Sequence, residues 1–212
     1  EMYQQEIMAE FVTWAGLVFS AFNPRKHCPD PFVLPRLKTV YGGVDIGMTS
    51  PPALVLVGQD ERGAMWAFKE FYQRNCRPHV WLSVVGEWTR EYKVKRWYVD
   101  SAFPAEIAAM RQYAQVRPSM KAKDAAGTAV NYINSMFERE QFFIGPDCPF
   151  LRSEMETYQY KEIMQGDEMT FLDKVKPNQN DHALDALRYC TLPLSSAAAG
   201  ERYGQWVAGK FG

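Results

Sequence analysis

Three groups of acidic residues stand where a folded chain would bring them to a surface. Asp45 closes the run TVYGGVD just before Gly47, and Asp100 closes RWYVD. Both runs otherwise read as buried strands, in which side chains alternate between faces. Val44 and Ile46 therefore share one face and Asp45 takes the other, and Trp97 and Val99 alternate with Tyr98 and Asp100. The third group lies in NDHALDALRY. Asp181 and Asp185 are four apart and share a helix face, with His182 three before Asp185 and also adjacent to it. Leu184, Leu187 and Cys190 form the stripe that would pin this helix to a sheet. If the two strands are neighbours, Asp45 and Asp100 come within reach of one ion. Carboxylates gathered at one point repel, and some take up protons unless a cation compensates. Hard oxygen donors without thiolates select Mg2+ or Mn2+ over zinc. Two such ions about 3.5–4 Å apart activate a water and stabilise the leaving oxygen in phosphodiester cleavage.

Each residue also has a purely structural reading. Asp45 can end a strand in a DxG turn, and Asp100 can cap a following helix. Asp181 is a natural N-cap after Pro177 and Asn180. His182 fits an outer position or the surface, and Arg188 can pair with Asp185 across one turn. Asp185, mid-helix among Ala and Leu, is the hardest to dismiss, because an unpaired carboxylate is least comfortable there. The joint order carries the weight: a strand-end Asp after a Gly-rich strand, a second strand-end Asp, then a helix with DxxxD.

A sheet and a helix must hold these positions. TVYGGVDIG reads as a strand, followed by the turn formers Thr49, Ser50, Pro51 and Pro52. ALVLVGQ and AMWAFKEFY read as a hairpin with Gly63 in its turn, so the first three strands make an antiparallel meander. Helical spacing covers His79 to Glu91, VKRWYVD is a fourth strand, and FPAEIAAMRQYA is a helix with Pro104 in its first turn. VRPSMKAK is a short strand, Asp124 caps a helix over Ala125 to Arg139, QFFIG is a short strand and FLRSEMETYQY a helix. MTFLDKVKP is a hairpin or loop, and Asn180 to Cys190 is the last helix, stopped by Pro193. A meander followed by alternating helix and strand is an α/β pattern with a mixed sheet.

Ahead of it, residues 1–22 carry Ile7, Phe11, Trp14 or Ala15, and Val18 at helical spacing. Pro24, Pro29, Pro31 and Pro35 then make an extended connector. The segment from Ser195 to Gly212, rich in Ala, Gly and Ser, is expected to be a mobile tail whose Trp206, Val207 and Phe211 suit a partner.

Composition narrows the classes. A hydrophobic fraction of 47% and an aromatic fraction of 14% suffice for a packed core and argue against global disorder. Apolar runs such as Ala53–Gly58 are too short to cross a bilayer and the first residues lack a signal-peptide pattern, so a soluble, intracellular protein is expected. Cys28, Cys76, Cys148 and Cys190 form no CxxC pair, which excludes a zinc ribbon and leaves reduced, mostly buried thiols. A net charge of −1 announces no polyanionic partner. If DNA is the substrate, bound cations and local patches must attract it, such as Arg90, Lys93, Lys95 and Arg96, or Arg117, Lys121 and Lys123. Each patch alone reads as a solvated face.

The words GGVDIG, AFKEFY, WYVDSA, KAKDAAGTAVNYI, CPFLRSEMETYQY and above all NDHALDALRY, in this order, resemble the nuclease domain of the large terminase subunit of tailed double-stranded-DNA bacteriophages. The opening QQEIMAEFVTWAGLVFSAF is similar to the segment with which that family leaves its ATPase domain, so the resemblance runs from Gln4 to Leu194. It implies an RNase H-like α/β fold of the retroviral integrase and resolvase superfamily, with an antiparallel three-strand meander in a mixed sheet flanked by helices. It implies that residues 1–37 are a helix and Pro-rich linker from a missing ATPase domain, 38–194 the nuclease domain and 195–212 a flexible tail. The activity implied is metal-dependent cutting of concatemeric viral DNA during genome packaging, with Mg2+ or Mn2+, two ions in all, and with low sequence specificity because phosphates are contacted instead of base edges.

On the resemblance, Asp45, Asp100 and Asp185 are the metal ligands. In related Holliday-junction resolvases the last helix carries a further ligand three residues before its final Asp-Ala-Leu; His182 stands there, with Asp181 beside it, and the choice between them stays open. Lys121 and Lys123, on a strand-to-helix edge, and Arg96 are the candidates for DNA contact. The implied partners are double-stranded DNA, the protein's own ATPase domain, the portal and the small terminase subunit, without a membrane, in the host cytoplasm and transiently at the procapsid portal. Family members carry a GxxxxGK(S/T) phosphate loop and this chain has none, so it is expected to be the isolated C-terminal domain, cutting DNA without translocating it.

Two rivals make different demands. The run Asp45 to Ser50, DIGMTS, also fits the first phosphate loop of sugar-kinase or actin-like ATPases, but those folds need a second lobe that 212 residues cannot hold. A non-catalytic docking module, with structural carboxylates and a tail for the portal or small subunit, predicts no metal-dependent nicking.

Overall fold

The structure is a computed structural model that describes residues 16–47, 51–119, 125–165 and 168–194. Strand β1 (Leu37–Asp45) pairs antiparallel with β2 (Ala53–Asp60), and β2 with β3 (Met65–Tyr72), which is the expected meander. Gly63, at φ +86°, carries the β2–β3 turn in a conformation L side chains avoid. β2 is buried without a break from Ala53 to Gly58, because helices cover both faces of the sheet around it. On the other edge of β1, β4 (Arg96–Val99) runs parallel and β5 (Val116–Pro118) continues beside it, while β6 (Phe142–Ile144) joins β3. The order is β5-β4-β1-β2-β3-β6.

One face packs α2 (Pro78–Glu91) and α3 (Pro104–Met110), whose Trp81, Val85, Ile107 and Met110 meet Val44, Leu54, Leu56, Trp97 and Val99. The other packs α4 (Ala125–Glu138), α5 (Pro149–Thr157) and α6 (residues 182–194), whose Ile133, Phe137, Leu151, Met155, Leu184 and Leu187 meet Val55, Val57 and Tyr98. A hairpin of β7 (Tyr160–Gln165) and β8 (Glu168–Val175) stands apart as a second sheet, so MTFLDKVKP is neither a hairpin by itself nor a loop but supplies most of the second strand of one. The short α1 (Pro24–His27) lies in the connector. No helix among the described residues is long and apolar enough to cross a membrane, and the four cysteines are free, with Cys148 and Cys190 buried.

Two elements depart from the reading above. Residues 16–22 do not continue a helix: Leu17 bridges Gln159, and Val18 N donates to Tyr158 O at 2.9 Å. Their apolar spacing serves another purpose, since Val18, Phe19 and Phe22 are buried in the α4–α5–α6 core. Apolar period alone does not separate a short helix from an irregular buried strip. Residues 1–15 lie outside the described residues. Phe19 is 0% exposed and stacks on Tyr158, so Phe19→Ala should cost about 3–5 kcal/mol in chemical denaturation; an unchanged midpoint would show that this segment is not part of the core. The last helix also runs on to residue 194, with Pro193 inside its last described turn. The tail expected from Ser195 lies outside the described residues.

Candidate metal site

The sheet register brings the two strand-end aspartates together. Val44 is the parallel partner of Val99, so Asp45, the last residue of β1, and Asp100, the first residue past β4, lie at the same end of adjacent strands. Val44, Ile46, Trp97 and Val99 belong to the α2–α3 face, and alternation sends Asp45 and Asp100 to the α6 face. There Gly43 allows α6 to lie directly on β1: a Cβ at that position would stand 1.8 Å from Ala186 O. This close approach sets His182 against Asp45, Nδ1 to Oδ2 at 2.9 Å. Because a carboxylate only accepts, Nδ1 carries the proton, which leaves the neutral ring's lone pair on Nε2.

Each carboxylate has a partner. Asp100 Oδ1 accepts from Ala102 N at 2.9 Å, Asp181 Oδ2 accepts from the Tyr158 hydroxyl at 3.1 Å, and Asp185 is ion-paired with Arg188. The Arg188 pairing seen as a rival for Asp185 is therefore present. Among the described residues no three of His, Cys, Asp and Glu converge tightly enough to enclose an ion. Their charges still act on common neighbours. Burial raises the Tyr189 phenol, followed by the charges of Asp45 and Asp100 and, more weakly, Asp181, with Arg188 opposing. The hydrogen bond to Asp45 raises His182 most, against burial, with further help from the charges of Asp45, Asp181 and Glu154. Arg188, ion-paired with Asp185, supplies compensating positive charge, and the raised His182 adds more whenever its ring takes up a proton.

No family model matches the chain. Among solved structures, the large terminase of the thermophilic bacteriophage D6E superposes with TM-score 0.67 at 19% identity, over 82% of this chain and 43% of that one. The P22 large terminase nuclease domain gives TM-score 0.62 at 14% identity over 82% of this chain and 90% of that domain. The fold is that of a terminase nuclease domain. It is RNase H-like, as the sequence resemblance implies. The nuclease domain of the SPP1 large terminase, solved with bound Mn, gives TM-score 0.59 at 21% identity over 74% of this chain and 86% of that one. The large terminase subunit of Escherichia phage T5 is 23% identical over 203 residues, 91% of this chain and 45% of that protein, so the chain spans less than half the length of this curated relative.

Not every candidate falls near this end of the sheet. Arg96 begins β4, so roughly 13 Å of strand separates it from Asp100. Lys121 and Lys123 lie outside the described residues, as do Asp124 and the Met48–Ser50 portion of DIGMTS. The described residues contain one large sheet and no second lobe of the kind an actin-like ATPase needs.

Four residues near the site were not singled out by sequence: Tyr189, Glu154, Glu70 and Tyr72. Glu154 carried a signal, since Leu151, Glu154, Met155 and Tyr158 follow the spacing of a buried helix stripe and all four are buried. Burial pushes the Glu70 and Glu154 carboxyls up to about 7, against backbone N–H donors that favour the charged form. A folded-state pKa raised above the unfolded value gives stability that is full below the unfolded pKa and lost as pH rises through the folded one. Glu70, Glu154 and His182 all shift that way. The metal-free protein should therefore melt at a lower temperature at about pH 8 than at about pH 5.5, and Glu70→Gln should flatten the profile in a thermal-shift series. A melting temperature that climbs over this range would contradict the assignment.

Proposed function

We propose that the chain is the nuclease domain of a phage large terminase subunit: a divalent-metal-dependent endonuclease that cuts concatemeric viral DNA during packaging, by two-metal hydrolysis with low sequence specificity. The observation that carries this reading is the meeting of Asp45 on β1 with His182 on α6, beside Asp100, on a scaffold shared with terminase nucleases. The donor chemistry fits Mg2+ or Mn2+: carboxylate oxygens and one imidazole, without a thiolate. Asp45, Asp100 and Asp185 would hold the ions, with Asp181 or His182 completing the set. When bound, such ions activate water and stabilise the leaving oxygen.

The chain's own groups prepare that site. Asp45 fixes the tautomer and plane of His182, Tyr158 holds Asp181, and Arg188 pairs with Asp185. On this reading residues 1–37 lead in from an ATPase domain, with residues 16–22 packed as part of the nuclease fold, and residues 195–212 form a tail. Double-stranded DNA, the portal and the small terminase subunit are the partners, in the host cytoplasm and transiently at the procapsid.

The test is direct. The purified 212-residue chain should nick supercoiled plasmid with Mn2+ or Mg2+, without ATP, and stop in EDTA. Cutting that ignores chelator, or none at millimolar Mn2+, sinks the proposal.

A further inference from the structure

A helix N-terminus is usually capped by the residue just before it, and Asp181 is of the right type in the right place for α6. The structure uses it otherwise. Asp181 Oδ2 accepts from the Tyr158 hydroxyl at 3.1 Å. The N–H groups that a cap would satisfy, those of Ala183 and Leu184, donate to Glu154, whose Oε2 lies 3.0 Å from Leu184 N. Glu154 belongs to α5, 30 residues away, and is only 4% exposed. If Asp181 accepted those N–H groups, its carboxylate would be tied into the first turn of α6 and could not take the Tyr158 hydroxyl, which holds it away from the helix end at 3.1 Å.

Glu154 is itself held by the same device one step back. β3 carries a bulge: Leu56 pairs with Lys69 but Val57 with Ala67, so Phe68 is the extra residue. The bulge reverses the alternation of the strand. Met65 and Ala67 face the α4–α5–α6 side before it, and Glu70 and Tyr72 face that side after it. Glu70 then accepts from Phe150 N at 2.9 Å and Leu151 N at 2.7 Å, capping α5, the helix that presents Glu154. Tyr72 stacks on Phe150 at 4.3 Å and packs on the His182 ring at 6.0 Å.

We propose that Glu154 is a positioning residue of the candidate metal site: by capping α6 from a neighbouring helix, it releases the Asp181 carboxylate to the site and holds His182 against Asp45. The release rests on the nuclease reading above; the capping does not. A cap that only stabilised the helix would leave metal dependence untouched, which separates the two roles.

The test compares wild type with Glu154→Gln, Glu154→Leu and Asp181→Asn, reading Mn2+ binding by calorimetry, the Mn2+ concentration for half-maximal plasmid nicking, and amide exchange at Leu184. Glu154→Gln keeps the acceptor and should behave as wild type. Glu154→Leu should raise the Mn2+ requirement about 10- to 100-fold, the range for losing an outer-shell support. Asp181→Asn should also raise it, although Asn caps as well as Asp and would be silent if Asp181 were only a cap. Wild-type Mn2+ dependence in Glu154→Leu, or a silent Asp181→Asn, overturns the proposal. Should Glu154→Leu fail to fold, Asp181→Asn and Glu154→Gln still decide it. If wild type neither binds Mn2+ nor cuts, the nuclease reading fails on its own. Exchange at Leu184 then judges the cap: Glu154→Leu with added Asp181→Ala should expose that amide far more than either change alone, and equal exchange in all variants refutes it.

Discussion

Asp45→Asn should yield a folded protein that no longer cuts DNA. Asp45 is the one carboxylate that touches both halves of the site, ending β1 beside Asp100 and accepting from His182 on α6. On the proposed nuclease reading Asp45 is a shared ligand; bound cations contribute several kcal/mol to phosphodiester cleavage, so its loss should lower plasmid cutting by about 10³-fold or more. The fold should survive, because Asn fills the same space and its amide oxygen can still accept from His182 Nδ1. Stability should respond to pH in a particular way. With His182 raised, the His182–Asp45 pair stabilises the metal-free protein below the unfolded histidine value, and that contribution is lost as pH rises through the folded value. Asp45→Asn should therefore melt lower than wild type at about pH 5.5. It should melt level with or above wild type at about pH 8.5, where only repulsion from Asp100 and Asp181 is removed. Plasmid nicking, Mn2+ calorimetry and thermal scans at the two pH values check this together. Nicking at the wild-type rate would refute the role of Asp45, whatever the scans show.

Much of this site could be read in the sequence because its parts obey short-range rules. A strand of period two that ends in Asp fixes which face the carboxylate takes, and the described structure keeps that alternation for Val44, Asp45 and Ile46, and again for Trp97 through Val99. The spacing of Leu184, Leu187 and Cys190 likewise places α6 on the sheet. What escaped depends on contacts between distant segments. A single extra residue at Phe68 reverses the faces of Glu70 and Tyr72, and no local pattern in MWAFKEFY marks it. Asp181 looks like a cap by every local criterion, yet Glu154, from another helix, takes that role. The same limit explains residues 16–22, whose apolar spacing suits a helix but whose backbone bonds to Tyr158 and Gln159 instead.

Gly43→Ala should damage both the fold and the site. The added methyl would stand 1.8 Å from Ala186 O and 2.6 Å from Ala186 C. Both are backbone atoms of α6, so no rotamer change relieves the contact and the helix must lift from β1. Gly58→Ala is the natural control, since its nearest neighbours, at 2.4 Å and beyond, are side-chain atoms of Leu37, a flexible residue at the start of β1. Overpacking that moves backbone costs about 1–3 kcal/mol or more. At about 2–4 °C per kcal/mol for a chain of this size, Gly43→Ala should lower the melting temperature by roughly 2–12 °C, and Gly58→Ala by much less. The larger consequence is chemical. Ala186 follows Asp185 and is one turn from His182, so lifting the helix by an ångström or more separates His182 and Asp185 from Asp45. A misplacement of about 1 Å can cost 10²-fold in rate. Gly43→Ala should therefore cut at least that much more slowly even at temperatures where it is fully folded, and His182 should titrate closer to its ordinary value as its bond to Asp45 lengthens. A variant with wild-type melting and wild-type nicking would mean that α6 does not lie on Gly43, and with that the geometry joining residue 45 to the last helix would be lost.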